Sequence, residues 1–254
     1  MIARSLLVVF LLALGAWAPQ QDSAASSYAP PADGALATFL PDRPPVPHAH
    51  PTARVLRVVW HHQEHNLSCE AAALRMALSF VGVQAGEMTL MALMGYDERP
   101  AVFDAKGRLV EWGDPNAAYV GNPDGRIERY TGYGVYFGPV ARAANAAGAS
   151  VIAAGSGLYG SGIGPQAIYA AVLAGHPVVA WISNTYHRVP LSSYTAYDGK
   201  RVYYTLTEHA VTIVGVRPGA VLINDPWFGP AWHSKAQFES AYSTFGDMAV
   251  IIGA

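Results

Sequence analysis

Two short apolar runs on either side of a turn constrain this chain more than any other feature. His209–Val216 reads HAVTIVGV, Ala220–Asp225 reads AVLIND, and Arg217-Pro218-Gly219 lies between them. Both runs are rich in β-branched residues and too short for buried helices, so they read as strands. A turn at Pro218-Gly219 returns the second strand along the first as an antiparallel neighbour. Asp225 then comes back to within a few residues of facing His209, the reach a carboxylate needs to hold an imidazole by one ring nitrogen. Successive strand residues face opposite sides, so only one of Asn224 and Asp225 can do this.

The rest of the chain supplies partners for that pair. Val178 to Ile182 reads as a buried strand, Met248 to Ile252 as another, and Val55 to Trp60 as a short one. Leu191–Tyr197 and Lys200–Leu206 flank Asp198-Gly199, a strong hairpin signal. Helices are expected over Glu87–Met94, from Gly138-Pro139 with Pro139 at N1 to about Ala147, over Pro165–Ala174, and over Ser234–Tyr242. Residues 97–131, rich in Asp, Gly, Asn and Pro, read as a long ordered loop with short strands. Helices come first and a mainly antiparallel sheet follows, which is an α+β layout.

The chemistry of the chain centres on His61–Gly82, HHQEHNLSCEAAALRMALSFVG, which holds the one cysteine, Cys69. Leu74, Ala77, Leu78 and Val81 repeat at helical spacing, with Gly82 as the stop and Ser68 as N-cap. A thiol in the first turn meets unpaired backbone N–H groups and the positive end of the helix dipole, both favouring a thiolate. Gln63, in the segment entering the helix, can aim an amide N–H at the same reacting centre. A thiol nucleophile needs a base, and the base an orienting partner; among nine histidines, His209 has Asp225 within reach.

Composition narrows the classes. Only 13% of residues are charged and the net charge is −2, without a basic stripe, so a nucleic-acid partner is not expected. Residues 1–18 carry Arg4, an apolar Leu6–Leu14 stretch and Ala16-Trp17-Ala18, the pattern of a cleaved secretory signal. The apolar stretch is shorter than the ~20 residues that span a bilayer, so no stable membrane insertion is expected after cleavage, and the protein is expected to be secreted or extracytoplasmic. Residues 19–54 hold eight of the 18 prolines and read as a Pro/Ala/Ser-rich linker, leaving 55–254 as the folded domain. A single cysteine forms no intramolecular disulfide, and in an exported protein it is reactive, buried or intermolecular.

These motifs together resemble the C39 and C39-like cysteine peptidases of the papain-like superfamily. The resemblance rests on Gln63, Cys69 and its helix, HAVTIVG and NDPWFG. It extends to WGDPNAAYVGNPDG from Trp112, GYGVYFGPVARAA from Gly132 and AGHPVVAWI from Ala174, covering roughly 55–254. The best-known members are fused to export transporters; this chain resembles the secreted, stand-alone branch. The resemblance implies a papain-like α+β fold, with the helix carrying the cysteine packed on a mainly antiparallel sheet carrying His and Asp. It also implies a Cys–His–Asp endopeptidase acting on a peptide or protein substrate, with no metal or organic cofactor. Cys69 is then the nucleophile, His209 the base, Asp225 its orienting partner, and Gln63 with the Cys69 N–H the oxyanion hole.

Two other readings compete. An inactive peptide- or glycan-binding module of the same fold would keep the cleft and lose the chemistry. His61, Glu64 and His65 satisfy H-x-x-E-H, an inverted zinc-hydrolase motif, but the motif needs a helix and the flanking residues do not suggest one. Otherwise His61, His62 and His65 are expected at the rim of the cleft. Glu70 is expected to turn to solvent, Trp227 to shield the His–Asp pair or pack in the core, Asp114 and Asp124 to serve turns, and His176, His187 and His233 to stand without partners.

Overall fold

The computed structural model describes residues 52–253. The expected signal segment and the linker up to residue 51 lie outside them. The chain begins with β1 (Arg54–Val55), α1 (Cys69–Phe80) and α2 (Glu87–Met94). Short strands follow: β2 (Tyr96–Asp97), β3 (Val102–Phe103), β4 (Leu109–Trp112), β5 (Tyr119–Gly121) and β6 (Gly132–Gly134). Next come α3 (Phe137–Ala146), β7 (Ser150–Gly155), α4 (Pro165–Ala174), β8 (Val178–Ser183), β9 (Ser192–Ala196) and β10 (Arg201–Tyr204). The chain closes with β11 (Glu208–Arg217), β12 (Ala220–Asp225), β13 (Gly229–Ser234), α5 (Lys235–Tyr242) and β14 (Ala249–Gly253).

The main sheet runs β13-β12-β11-β8-β14-β7, and every pairing in it is antiparallel. Helices cover both faces. Val179, Trp181, Ala210 and Val250 join α1, α2 and α3 in one core, while Val178, Ala180, Ile182, Val211 and Ile251 join α4 and α5 in the other. That is why β8, VVAWIS, is buried along its whole length and shows no apolar–polar alternation. The layout is α+β, with the cysteine helix packed on the sheet. Two helices, α4 and α5, interleave with the strands rather than preceding them.

Several boundaries differ from the sequence reading for local reasons. The expected strand over Val55–Trp60 is only Arg54–Val55. β8 pairs with β11 from Glu208 to Ile213, leaving Gly215 and Val216 as the free edge that β1 takes. α3 starts at Phe137, not Gly138, so Pro139 is its third residue, where a missing N–H is still harmless. The sequence gives no strand signal over β13, whose Gly229 and Pro230 are both poor strand residues. Pro230 is tolerated because β13 is the edge of the sheet. α1 ends as expected: Gly82 has φ +89°, and the Val83 and Gly82 N–H groups return to the Leu78 and Ser79 carbonyls.

Candidate active site

The segment entering α1 is pinned from two sides. On one side is Glu87, the first residue of α2, fully buried. Its carboxylate accepts the Glu64 N–H at 3.0 and 3.1 Å, the Ser68 hydroxyl, and a hydrogen bond from His61 Nε2 at 2.7 Å. On the other side is the end of β12. The Trp60 indole donates to the Asp225 carbonyl at 2.7 Å, the Gln63 N–H to Pro226 at 3.0 Å, and the Asn224 amide to Val58 at 3.2 Å. Ser68 holds the N-cap position, but its hydroxyl accepts the His65 N–H and donates to Glu87 instead of capping α1. Ser68 thus leaves the first turn uncapped; the Glu70 N–H goes to its own carboxyl, and the Cys69 N–H, at the first position of α1, has no carbonyl a turn before it within the helix.

The hairpin delivers its two residues to one face. Thr212 pairs with Asn224, so continuing the register sets Asp225 opposite Val211, one same-face step from His209. His209 Nε2 and Asp225 Oδ1 lie 2.9 Å apart. Oδ1 also accepts the Trp227 N–H at 2.8 Å and the Phe228 N–H at 3.1 Å, while the Tyr186 hydroxyl reaches Oδ2 at 3.4 Å. Burial pushes this carboxyl up, but the His209 hydrogen bond and charge and the two backbone donors outweigh it and hold Asp225 below the ordinary carboxylate range. Asp225 occupies Nε2, so Nδ1 is the His209 nitrogen left for other work.

Cys69, Gln63 and His209 line one cleft of about 200 Å³ with Leu67, Leu206, Glu208, Trp227 and Phe228. Within it the thiol points elsewhere than His209. Sγ donates to Glu70 Oε2 at 3.5 Å and accepts the Ala210 N–H at 3.4 Å. Burial first, then the nearby Glu70 and Glu208 carboxyls, push the thiol well above its usual range, against the expectation of a lowered one. Glu70 is not turned to solvent: it is fully buried, and Oε1 accepts the Val135 N–H at 2.6 Å. It fits because residue 134 is glycine, where a Cβ would clash with Glu70 Oε1. Burial raises Glu70 to about 7. Burial and then Glu70 raise Glu208 well above its ordinary value, and Glu208 Oε1 has no hydrogen-bond partner.

Gln63 lies where expected, but its amide is already engaged. Nε2 donates to the His65 carbonyl at 2.7 Å and the Asn66 carbonyl at 2.9 Å, leaving Oε1 buried without a partner. His61, Glu64 and His65 do not form a zinc trio. Residues 61–66 are not helical, and His65 turns to Asp124 at 3.0 Å. His61 and Glu64 instead converge with Glu87, where the Arg75 guanidinium already binds Glu64 and stands 3.0 Å from His61. His61, His62 and His65 do not line the cleft; His62 sits between Trp60 and Trp227, its ring tilted against both. Trp227 is 46% exposed and so is not core. His233 has a partner after all, the Tyr186 ring stacked at 4.1 Å.

The sequence reading missed four contributors: Glu208, Tyr186, Trp60, and Glu70 as a buried acid. Only Glu70 and Glu208 carried a signal, each being the neighbour of a singled-out residue.

Residues 55–250 match the model of the Peptidase_C39 like family. The uncharacterized protein YvpB of Bacillus subtilis (strain 168) is 26% identical over 187 residues, covering 72% of this chain and 68% of that protein. The crystal structure of a candidate C39-like peptidase from Bacillus anthracis superposes with a TM-score of 0.65 at 24% identity, covering 80% of this chain and 98% of that one. That likeness extends to the fold.

Proposed function

The chain belongs to the C39-like peptidase family, and from that membership together with the cleft we propose that it is a thiol-dependent endopeptidase acting on peptides. The observation that carries the reading is the His209–Asp225 pair opening onto the same cleft as Cys69 at a helix N-terminus. In this reading His209 Nδ1 takes the Cys69 proton, and the thiolate attacks the scissile carbonyl. Asp225 holds the ring by Nε2 and stabilises the imidazolium. The carbonyl oxygen, now negative, is held by the Cys69 N–H; Gln63 joins it only by rotating its amide away from the two carbonyls it now holds. His209 returns the proton to the leaving amine. Water, deprotonated by the same imidazole, then cleaves the thioester and frees the acid and the thiol.

The signal-like segment at 1–18 supports an extracytoplasmic setting for this reaction. No helix among the described residues is long and apolar enough to cross a membrane.

A second reading is favoured by one observation: the resting thiol donates to Glu70 rather than to His209. A peptide-binding module that has lost activity would show the same contact. A peptide-library digest with wild type and Cys69→Ala decides between them. Cleavage by wild type alone supports the peptidase; equal cleavage by both removes Cys69 from the chemistry. Cleavage by neither, with peptides still bound, supports the binding module. Alkylation of Cys69 by iodoacetamide that slows in His209→Ala independently supports the pairing.

A further inference from the structure

Glu208 and Glu70 are buried beside Cys69 with no cation to answer them. One oxygen of each lies with Cys69 Sγ in a group whose members are all within 4.8 Å of one another. Glu208 is 7% exposed, lines the cleft, and has Oε1 unpartnered. Glu70 is held by the Val135 N–H, its own N–H and the thiol, and no ion pair among the described residues includes either acid. A buried carboxyl without a partner is costly whether charged or neutral, and two adjacent ones repel. Such a pair at the wall of an open cleft is explained by a ligand that brings the missing positive charge. Leu67, Ile127, Leu206, Trp227 and Phe228 give the cleft apolar walls alongside the polar Asn66 and Asn184, and about 200 Å³ is room for roughly one long side chain.

We propose that this cleft receives a primary ammonium of the substrate at the end of an apolar stem, with Glu208 as its partner and the residue that determines specificity. The ammonium belongs to a lysine side chain or to a chain N-terminus. Its stem lies along the apolar walls, as amphipathic side chains do. As it arrives, the Glu208 carboxyl gives its proton to water and becomes the counter-ion, with Glu70 behind it. The proposal rests on the reading that peptides enter this cleft, but it concerns binding and can stand or fall separately.

The test uses the full chain carrying Cys69→Ala, titrated calorimetrically with peptide pairs. One pair differs as lysine against norleucine, the other as free against acetylated N-terminus. A charge-assisted hydrogen bond replacing a neutral contact predicts about tenfold or tighter binding of the charged member of one pair. The pair that discriminates identifies the source of the ammonium. In Cys69→Ala/Glu208→Gln the preference falls to within about twofold. Equal binding of charged and neutral members by Cys69→Ala overturns the proposal, as does a preference that survives Glu208→Gln. Zinc chloride bound by wild type and lost in Glu208→Gln, with no ammonium preference, overturns it in favour of a metal site. If Glu208→Gln fails to fold by circular dichroism, Glu70→Gln replaces it, and the comparison within Cys69→Ala still decides. Turnover of the same peptides by wild type separates the two claims. Discrimination without cleavage removes the peptidase reading alone, and cleavage without discrimination removes the ammonium site alone.

Discussion

Replacing Glu70 by glutamine makes the burial of that acid measurable as a change in the pH dependence of stability. Glu70 is fully buried and its carboxyl is raised by desolvation from 4.5 to about 7. A carboxyl raised in the folded state favours folding while protonated. Its contribution is full below the unfolded value and is lost as pH rises through the folded one. A displacement from 4.5 to about 7 at 1.36 kcal/mol per unit amounts to about 3 kcal/mol of stability lost between those pH values. Glutamine is nearly isosteric and has no proton to lose. Its carbonyl still accepts the Val135 N–H, but its amide cannot accept from the thiol. Urea denaturation of wild type and Glu70→Gln at a series of pH values from 4.5 to 8 reads the effect as a difference. Contributions shared by both proteins, such as that of Asp225, cancel. Glu208, also raised by Glu70, adds a change of the same sign. The expected result is a wild type that loses about 3 kcal/mol relative to the variant over the interval. A stability difference that stays flat with pH refutes the account of Glu70 as a buried, proton-holding neighbour of the thiol.

Other substitutions probe the same neighbourhood. Glu70→Gln removes a charge that opposes the thiolate, so iodoacetamide labelling of Cys69 at pH 8, followed by mass spectrometry, accelerates by about tenfold. Gly134→Ala drives a Cβ into Glu70 Oε1 on a backbone with φ +140°. Backbone strain and the displaced buried carboxyl together cost about 3 to 5 kcal/mol in urea denaturation, partly recovered in Gly134→Ala/Glu70→Ala. Ser68→Ala takes one donor from the buried Glu87 and costs about 2 kcal/mol by the same assay. Asp225, held low by His209 and two backbone N–H groups, stabilises the fold above its unfolded value of about 3.9, and this contribution is lost as pH falls through the depressed folded value. Acid titration of Asp225→Asn by circular dichroism loses that limb.

The parts of the site that were legible are those set by local rules. Strand alternation and a Pro-Gly turn bring Asp225 to His209 and send Asn224 the other way, and both follow from chain geometry alone. Helical spacing and Gly82 bound α1 for the same reason. The environment of the thiol was not legible, because it depends on what faces α1 from elsewhere. Glu70 follows Cys69 in sequence, and on an isolated helix such a residue turns to water. It stays inside because β6 offers a glycine at 134 and a free N–H at Val135, a fit no pattern within α1 reveals. Glu208 is the residue before His209, and nothing in HAVTIVGV says that the strand extends one residue further to present an acid to the cleft. The same holds for Ser68, whose cap role was the natural reading until Glu87 claimed its hydroxyl. In each case a long-range partner overrode a local preference, and in each case the residue affected touches Cys69 or the loop that positions it. Local rules place the His–Asp pair; tertiary packing sets the charge state of the cysteine beside it. That packing sets the thiol among buried acids, and burial together with those acids pushes it well above its usual range.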